Sequence, residues 1–238
     1  MFELHRAKNS VSYLQACGDT AFLSDDFALK WSSFVEENSN NDFTMGIGLD
    51  ETMQIALMIK SNISPEEIGK VMSVMPSHAT VMSYLSGLVP SDVLFEIDSN
   101  ISAKPEVERF VSPKEDIDCF DESIDEMQRV NAACRMMKKG DALFSLPYWE
   151  ECGKVIFGEE MSEKWSQYVR EKVSSDYDCR SFIPATLQLA TMLKAGVPTE
   201  EVRDILAVHN DREVVLFSLG EFIHPEIMEK ITPKQNNY

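Results

Sequence analysis

The densest run of side chains able to do chemistry is EDIDCFDESIDE, residues 115–126. Closely spaced carboxylates can hold a divalent cation. A calcium loop of the EF-hand kind needs oxygen ligands at positions 1, 3, 5 and 12, with glycine at 6. Counted from Asp116, position 3 is Asp118, but position 5 is Phe120 and position 6 is Asp121. The pattern fails, and no metal is expected. The run reads as a solvated acidic stretch ahead of a helix start. Its functional alternative is a docking segment for a basic partner, carried by Asp116, Asp118, Asp121 and Glu122.

The other reactive residue types are scattered. The four histidines, His5, His78, His209 and His224, fall in no metal-ligand spacing and read as surface or loop residues. Cys17 and Cys152 each precede a glycine, with no base spaced to activate them, and read as small buried thiols. No glycine-rich phosphate loop and no GxSxG elbow is present. No catalytic residue, metal or cofactor is therefore expected, and the chain is not expected to be an enzyme.

Composition limits the partners. Twenty-two basic residues face 40 acidic ones, for a net charge of −18 over 238 residues. That balance opposes phosphate backbones and anionic membranes and favours basic partners. The opening MFELHRAKNSVSYL has no apolar core of a leader, and five cysteines without a CxxC pair suit reduced thiols. The expectation is a cytoplasmic protein with no membrane contact.

The elements that position these residues are written twice. KWSSFV begins at Lys30 and KWSQYV at Lys164. Shifted by 134, residues 30–94 lie over 164–228 without a gap, and 16 of 65 positions are identical. Average composition gives roughly one match in sixteen, or about four. With one residue of slack, YLQACG at Tyr13 falls on YWEECG at Tyr148.

Each copy shows the same elements. Phe27, Trp31, Phe34 and Val35, and likewise Met161, Trp165, Tyr168 and Val169, make one apolar helix face, with the tryptophans as core anchors. LDETMQIALMIK and IPATLQLATMLK are apolar on most sides and predict a buried central helix. Ser64, Pro65 and Glu67 form a capping box for a third helix, and in the second copy the cap shifts to Thr199. A fourth helix carries Val81, Leu85, Leu88 and Val89 over Val215, Leu219, Phe222 and Ile223. Its second copy, REVVLFSL, has strand-like composition, but helix is preferred from copy one. The methionines Met53, Met72 and Met82 face Leu187, Leu206 and Leu216, as exchangeable core sites do.

The expected fold is all-α. Two homologous four-helix units, an internal duplication, pack as a pseudo-twofold pair. An acidic spacer with one extra helix joins them. The boundaries are 1–94, 95–147 and 148–238. Spacer residues 95–126 carry eleven acids and three bases and read as an extended or partly helical crossing. The extra helix starts at the Ser123–Glu126 box and ends at Gly140.

LATMLKAGVPTEEVRDILAVHNDREVVLFSL resembles the three-helix unit of helix-turn-helix DNA-binding domains, through Ala190, Gly196, Glu201–Val202 and Val208–His209. The first copy does so more loosely, without the turn glycine. The resemblance implies a reading helix that contacts phosphates and base edges. The sequence departs there: residues 71–103 hold no lysine or arginine, and the second candidate helix offers only Arg212.

The leading expectation is a non-enzymatic adaptor, chaperone-like or regulatory protein acting by protein–protein binding. Alternatives are an acidic inhibitor that mimics nucleic-acid charge, or a degenerate helix-turn-helix regulator. Partner binding should lie where the copies diverge. Val214, Val215, Leu216 and Phe217 cannot all face one core, and Phe217 stands where copy one has Ser83. Phe217 and Leu216 are therefore the candidate contacts. Packing of Phe217 between the copies is preferred over an exposed anchor, because an exposed Phe is costly. A homodimer is left open.

Overall fold

The computed structural model describes residues 2–22, 24–39, 48–102, 126–175 and 179–232. Among them are twelve α-helices and no strand. In order these are α1 (Phe2–Ala21), α2 (Asp25–Ser39), α3 (Leu49–Lys60), α4 (Pro65–Val74), α5 (His78–Leu85), α6 (Ser91–Ser99), α7 (Glu126–Phe157), α8 (Glu159–Ser175), α9 (Cys179–Lys194), α10 (Thr199–Ala207), α11 (Arg212–Gly220) and α12 (Pro225–Ile231). No described helix is long and apolar enough to cross a membrane.

The two sequences apolar on most sides form the centre. Every residue from Thr52 to Met58 in α3 and from Ala185 to Met192 in α9 is buried. α3 packs on α9. α1 and α5 cover α3, while α7 and α11 cover α9. Two crossed contacts complete the arrangement, α4 on α7 and α1 on α10. Two buried glutamines bond across this pair through their amide nitrogens. Gln54 Nε2 donates to Thr191 Oγ1 at 2.8 Å, and the Gln188 amide donates to the Asp50 carbonyl oxygen at 3.1 Å.

Both tryptophans are fully buried, and both are held the same way. Trp31 Nε1 donates to the Leu14 carbonyl and Trp165 Nε1 to the Trp149 carbonyl, each at 2.8 Å. Each indole lies on a glycine of the neighbouring helix. A Cβ on Gly18 would overlap Cδ1 and Nε1 of Trp31, and one on Gly153 would overlap the same atoms of Trp165. Glycine is needed there for close approach of α1 to α2 and of α7 to α8.

Helix ends recur at the same spacing. α3 stops at Asn62 (φ 54°) and α9 at Gly196 (φ 77°), both left-handed. Ile63 N–H bonds Met58 O at 3.1 Å, and Val197 N–H bonds Met192 O at 3.0 Å. These 6→1 bonds are Schellman closures, in which asparagine supplies what glycine supplies in the second half. Lys60 Nζ donates to the Thr20 carbonyl at the end of α1, and Lys194 Nζ to the Val155 carbonyl at the end of α7.

Several expected ends move. The two helices expected to run on to Val89 and Ile223, α5 and α11, stop at Leu85 and Gly220. Pro90 and Pro225 then start α6 and α12, since proline suits a helix N-terminus but not a continuing one. Residues 1–94 and 148–238 are thus each served by more than the four helices expected of them. The Ser64–Glu67 box is present, with Glu67 N–H on Ser64 Oγ at 3.2 Å. The shift to Thr199 does not occur. Pro198 is the N-cap of α10 and no side chain caps it. Gly140 does not end a helix; α7 runs through it to Phe157, because interior glycine costs only about 1 kcal/mol and the following turns are buried. REVVLFSL is helical, as α11.

Loss of an anchor should be expensive. Trp31→Ala and Trp165→Ala are each expected to cost about 3–5 kcal/mol in denaturant titration. Gly18→Ala and Gly153→Ala add one methyl group beneath an indole that has no room to shift. Each is expected to cost about 1–3 kcal/mol. Changes under about 0.5 kcal/mol would contradict this packing.

Candidate functional site

A cleft of about 590 Å³ opens where the α10–α11 turn meets α1. Ser12 lines it from α1, and residues 207–214 supply the rest. The turn is ordered from within. Asp211 N–H donates to His209 Nδ1 at 3.1 Å, and the Tyr13 ring meets the imidazole edge-on at 4.7 Å. Asp211 then stands as N-cap of α11.

Ser12, His209 and Asp211 share this cleft, which raises the question of a nucleophilic triad. Such a triad needs the imidazole to donate from Nδ1 to a carboxylate and accept a proton at Nε2. Here Nδ1 accepts a backbone N–H, so the neutral ring carries its proton on Nε2. The tautomer is the wrong one for a base, and the arrangement orders a turn. Among the described residues no three His, Cys, Asp or Glu side chains gather as metal ligands.

Two apolar side chains stand exposed among the mostly polar lining of the cleft. Val208 is 41% exposed and Val214 is 43% exposed, and both line the opening. One turn beyond Val214, Phe217 is 65% exposed. Packing of Phe217 between the copies does not occur. The core takes Val215, Ser218 and Leu219, at i, i+3 and i+4, and Leu216 is half-buried against it. That phase turns Val214 and Phe217 outward. Ser218 is tolerated inside because its hydroxyl pairs with the Tyr168 hydroxyl.

Of the candidate contacts, the structure places Phe217 and Leu216 on α11. Asp116, Asp118, Asp121 and Glu122 lie outside the described residues. The cleft itself was not foreseen. Its members come from α1 and a turn some 195 residues on, and only the Asn-Asp pair marks the turn in sequence. No family model, curated protein or solved structure matches this chain.

The buried thiols behave as expected of inert core groups. Burial pushes Cys17 and Cys152 well above the ordinary 9.0, with the neighbouring tyrosine hydroxyl opposing the rise. Tyr13 and Tyr148 are raised above 10.0 by burial, then by the adjacent thiol and the carboxylates of α3. A raised acid pKa stabilises the fold below the unfolded value and loses that contribution as pH climbs towards the folded one. Stability should therefore fall above pH 9.0, the unfolded thiol value. Each such group contributes about 1.4 kcal/mol per pH unit. Denaturant titrations at pH 8, 9 and 10 check this, and Cys17→Ala should flatten the slope.

Proposed function

We propose that this chain is a non-enzymatic protein-binding protein, of adaptor, chaperone-like or regulatory kind, acting in the cytoplasm. It is an internal duplication whose halves pack about a pseudo-twofold axis. The repeated indole–carbonyl bonds, the paired Schellman closures and the crossed contacts of α4 with α7 and α1 with α10 support that arrangement. One observation carries the functional reading. The half-to-half substitution Ser83 to Phe217 sets a large ring in solvent beside Val214 and Val208. Leu29, Phe95 and Phe144 are exposed as well; Phe217 is set apart by Val214 one turn away on the same outward face, with Val208 lining the same cleft as Val214, and grouped apolar side chains mark interaction surfaces.

The rim of the patch sets the chemistry of the partner. Asp204, Glu213 and Glu221 are exposed, Asp204 beside Arg203 at 3.4 Å and Glu221 beside Lys164 at 3.0 Å, with Arg212 as the one exposed base on α11. A partner segment with an apolar anchor and basic flanks fits best. The helix-turn-helix resemblance has its three helices, α9 to α11, and its turn at Gly196. Its outward face carries Val214 and Phe217 where a reading helix carries basic and amide side chains.

Phe217→Ser tests the reading. Melting temperature should stay within about 2 °C, since a surface change rarely exceeds 0.5 kcal/mol. A partner retained from native cytoplasm by the wild type should be lost, or bind at least about tenfold more weakly. Retention of every partner, with the oligomeric state unchanged, would remove Phe217 as the anchor. A gel-shift titration should show no duplex DNA binding near physiological salt. A shift at low micromolar protein that added salt abolishes would instead favour the DNA-binding reading.

A further inference from the structure

The seam between α3, α7 and α9 holds polar groups that the protein-binding reading does not use. Gln54 and Gln188 occupy equivalent places on α3 and α9, and both are buried, at 2% and 0% exposure. Their amide orientations follow from their partners. Thr191 Oγ1 already donates to the Leu187 carbonyl at 2.7 Å, so it accepts from Gln54. The Gln54 nitrogen must therefore face Thr191, and its oxygen must face the other way. Gln188 meets the Asp50 carbonyl oxygen and Oδ1, both acceptors, so its nitrogen faces them.

That leaves both amide oxygens buried without a protein donor. Tyr13 Oη, on α1, is also buried, with the Cys17 thiol beside it. An unsatisfied buried acceptor costs about 1–3 kcal/mol and is rare in native interiors. The Gln54 oxygen has a remedy beside it. Gln54 lines a small cavity with Asp50, Glu51, Tyr148, Trp149, Pro184 and Leu187. It offers about 10 Å³ to the centre of a water-sized molecule, close to what one internal water needs.

We propose that a single ordered water occupies this cavity, donates to Gln54 Oε1, and is a fixed component of the seam. Its other partners are the polar groups lining the same cavity, the Tyr148 hydroxyl and the oxygens of Asp50 and Glu51. A metal cation is the rival occupant, and the charges argue against it. Glu51 Oε2 accepts the Gly48 N–H at 3.1 Å, and Asp50 accepts the Gln188 amide. Both acids also stand in the first turn of α3, where the helix dipole offsets their charge. The orphaned atom is a neutral carbonyl oxygen, which asks for one donated proton.

Crystals of the full chain diffracting to about 1.5 Å would decide it. The expected result is one full-occupancy peak about 2.6–3.2 Å from Gln54 Oε1. It should give no anomalous signal after a rubidium or thallium soak. In solution, the side-chain amide of Gln54 should show a cross-peak to a long-lived water. Gln54→Met, close in shape and without the acceptor, should lose both signals. Empty density in the wild type, or an anomalous peak at the position, would overturn the proposal. Should the methionine variant fail to fold, the wild-type density and soak still decide between water, cation and void.

Discussion

Among the described residues, the helices around α3 and α9 serve to cover them. A helix buried nearly all round cannot satisfy itself with one neighbour. α3 buries every residue from Thr52 to Met58, and α9 every residue from Ala185 to Met192. Placed against each other they remove one face from water, and the outer helices must remove the rest. The polar residues within this pair, Gln54, Thr191 and Gln188, bond across it, which sets its register as a purely apolar contact would not. The order of layers follows from that central pair.

The outer helices are held by a different device. α1 and α2, like α7 and α8, come close because glycine sits under an indole whose N–H closes on the facing backbone. A buried indole N–H needs an acceptor, and a carbonyl one helix away provides it without a second side chain. Lys60 and Lys194 then bind the last carbonyls of α1 and α7, where a helix leaves acceptors unpaired and favours positive charge. Core, close approach and helix end are thus tied together in each half.

Helix identity was legible in sequence because apolar spacing is a local property. The faces through Trp31 and Trp165, the buried character of LDETMQIALMIK and the box at Ser64 are each set within a few residues. Helix ends were less legible. Gly140 resembles a stop, yet tertiary burial carries α7 past it. α1 escaped notice because FELHRAKNSVSYLQACGDTA has no sharp apolar stripe. The stripe of Val215 and Leu219 on α11 was read correctly, but Phe217 was misplaced for a chemical reason. Hydrophobicity alone puts Phe217 inside and Ser218 outside, but a buried hydroxyl is inexpensive once Tyr168 answers it. The cleft could not be read at all, since it joins Ser12 to a turn near the far end of the chain.

That buried hydroxyl pair also shows how the proposed duplicates diverge. Copy one places Phe34 against Tyr84 with ring centroids 4.7 Å apart. At the matching positions copy two has Tyr168 and Ser218, so a second hydroxyl is gained and a ring is lost. The lost volume returns at Phe222, where copy one has Leu88. Phe222 packs on Trp165 at 5.1 Å, on Tyr168 at 5.4 Å and on Phe157 at 5.0 Å. The interior changes therefore balance in place, as volume-conserving exchange requires. The change from Ser83 to Phe217 has no such partner inside the molecule, because Phe217 points away from it. Selection on packing accounts for the first set of differences and not for the second, which is why the proposed binding role rests on the exposed face of α11.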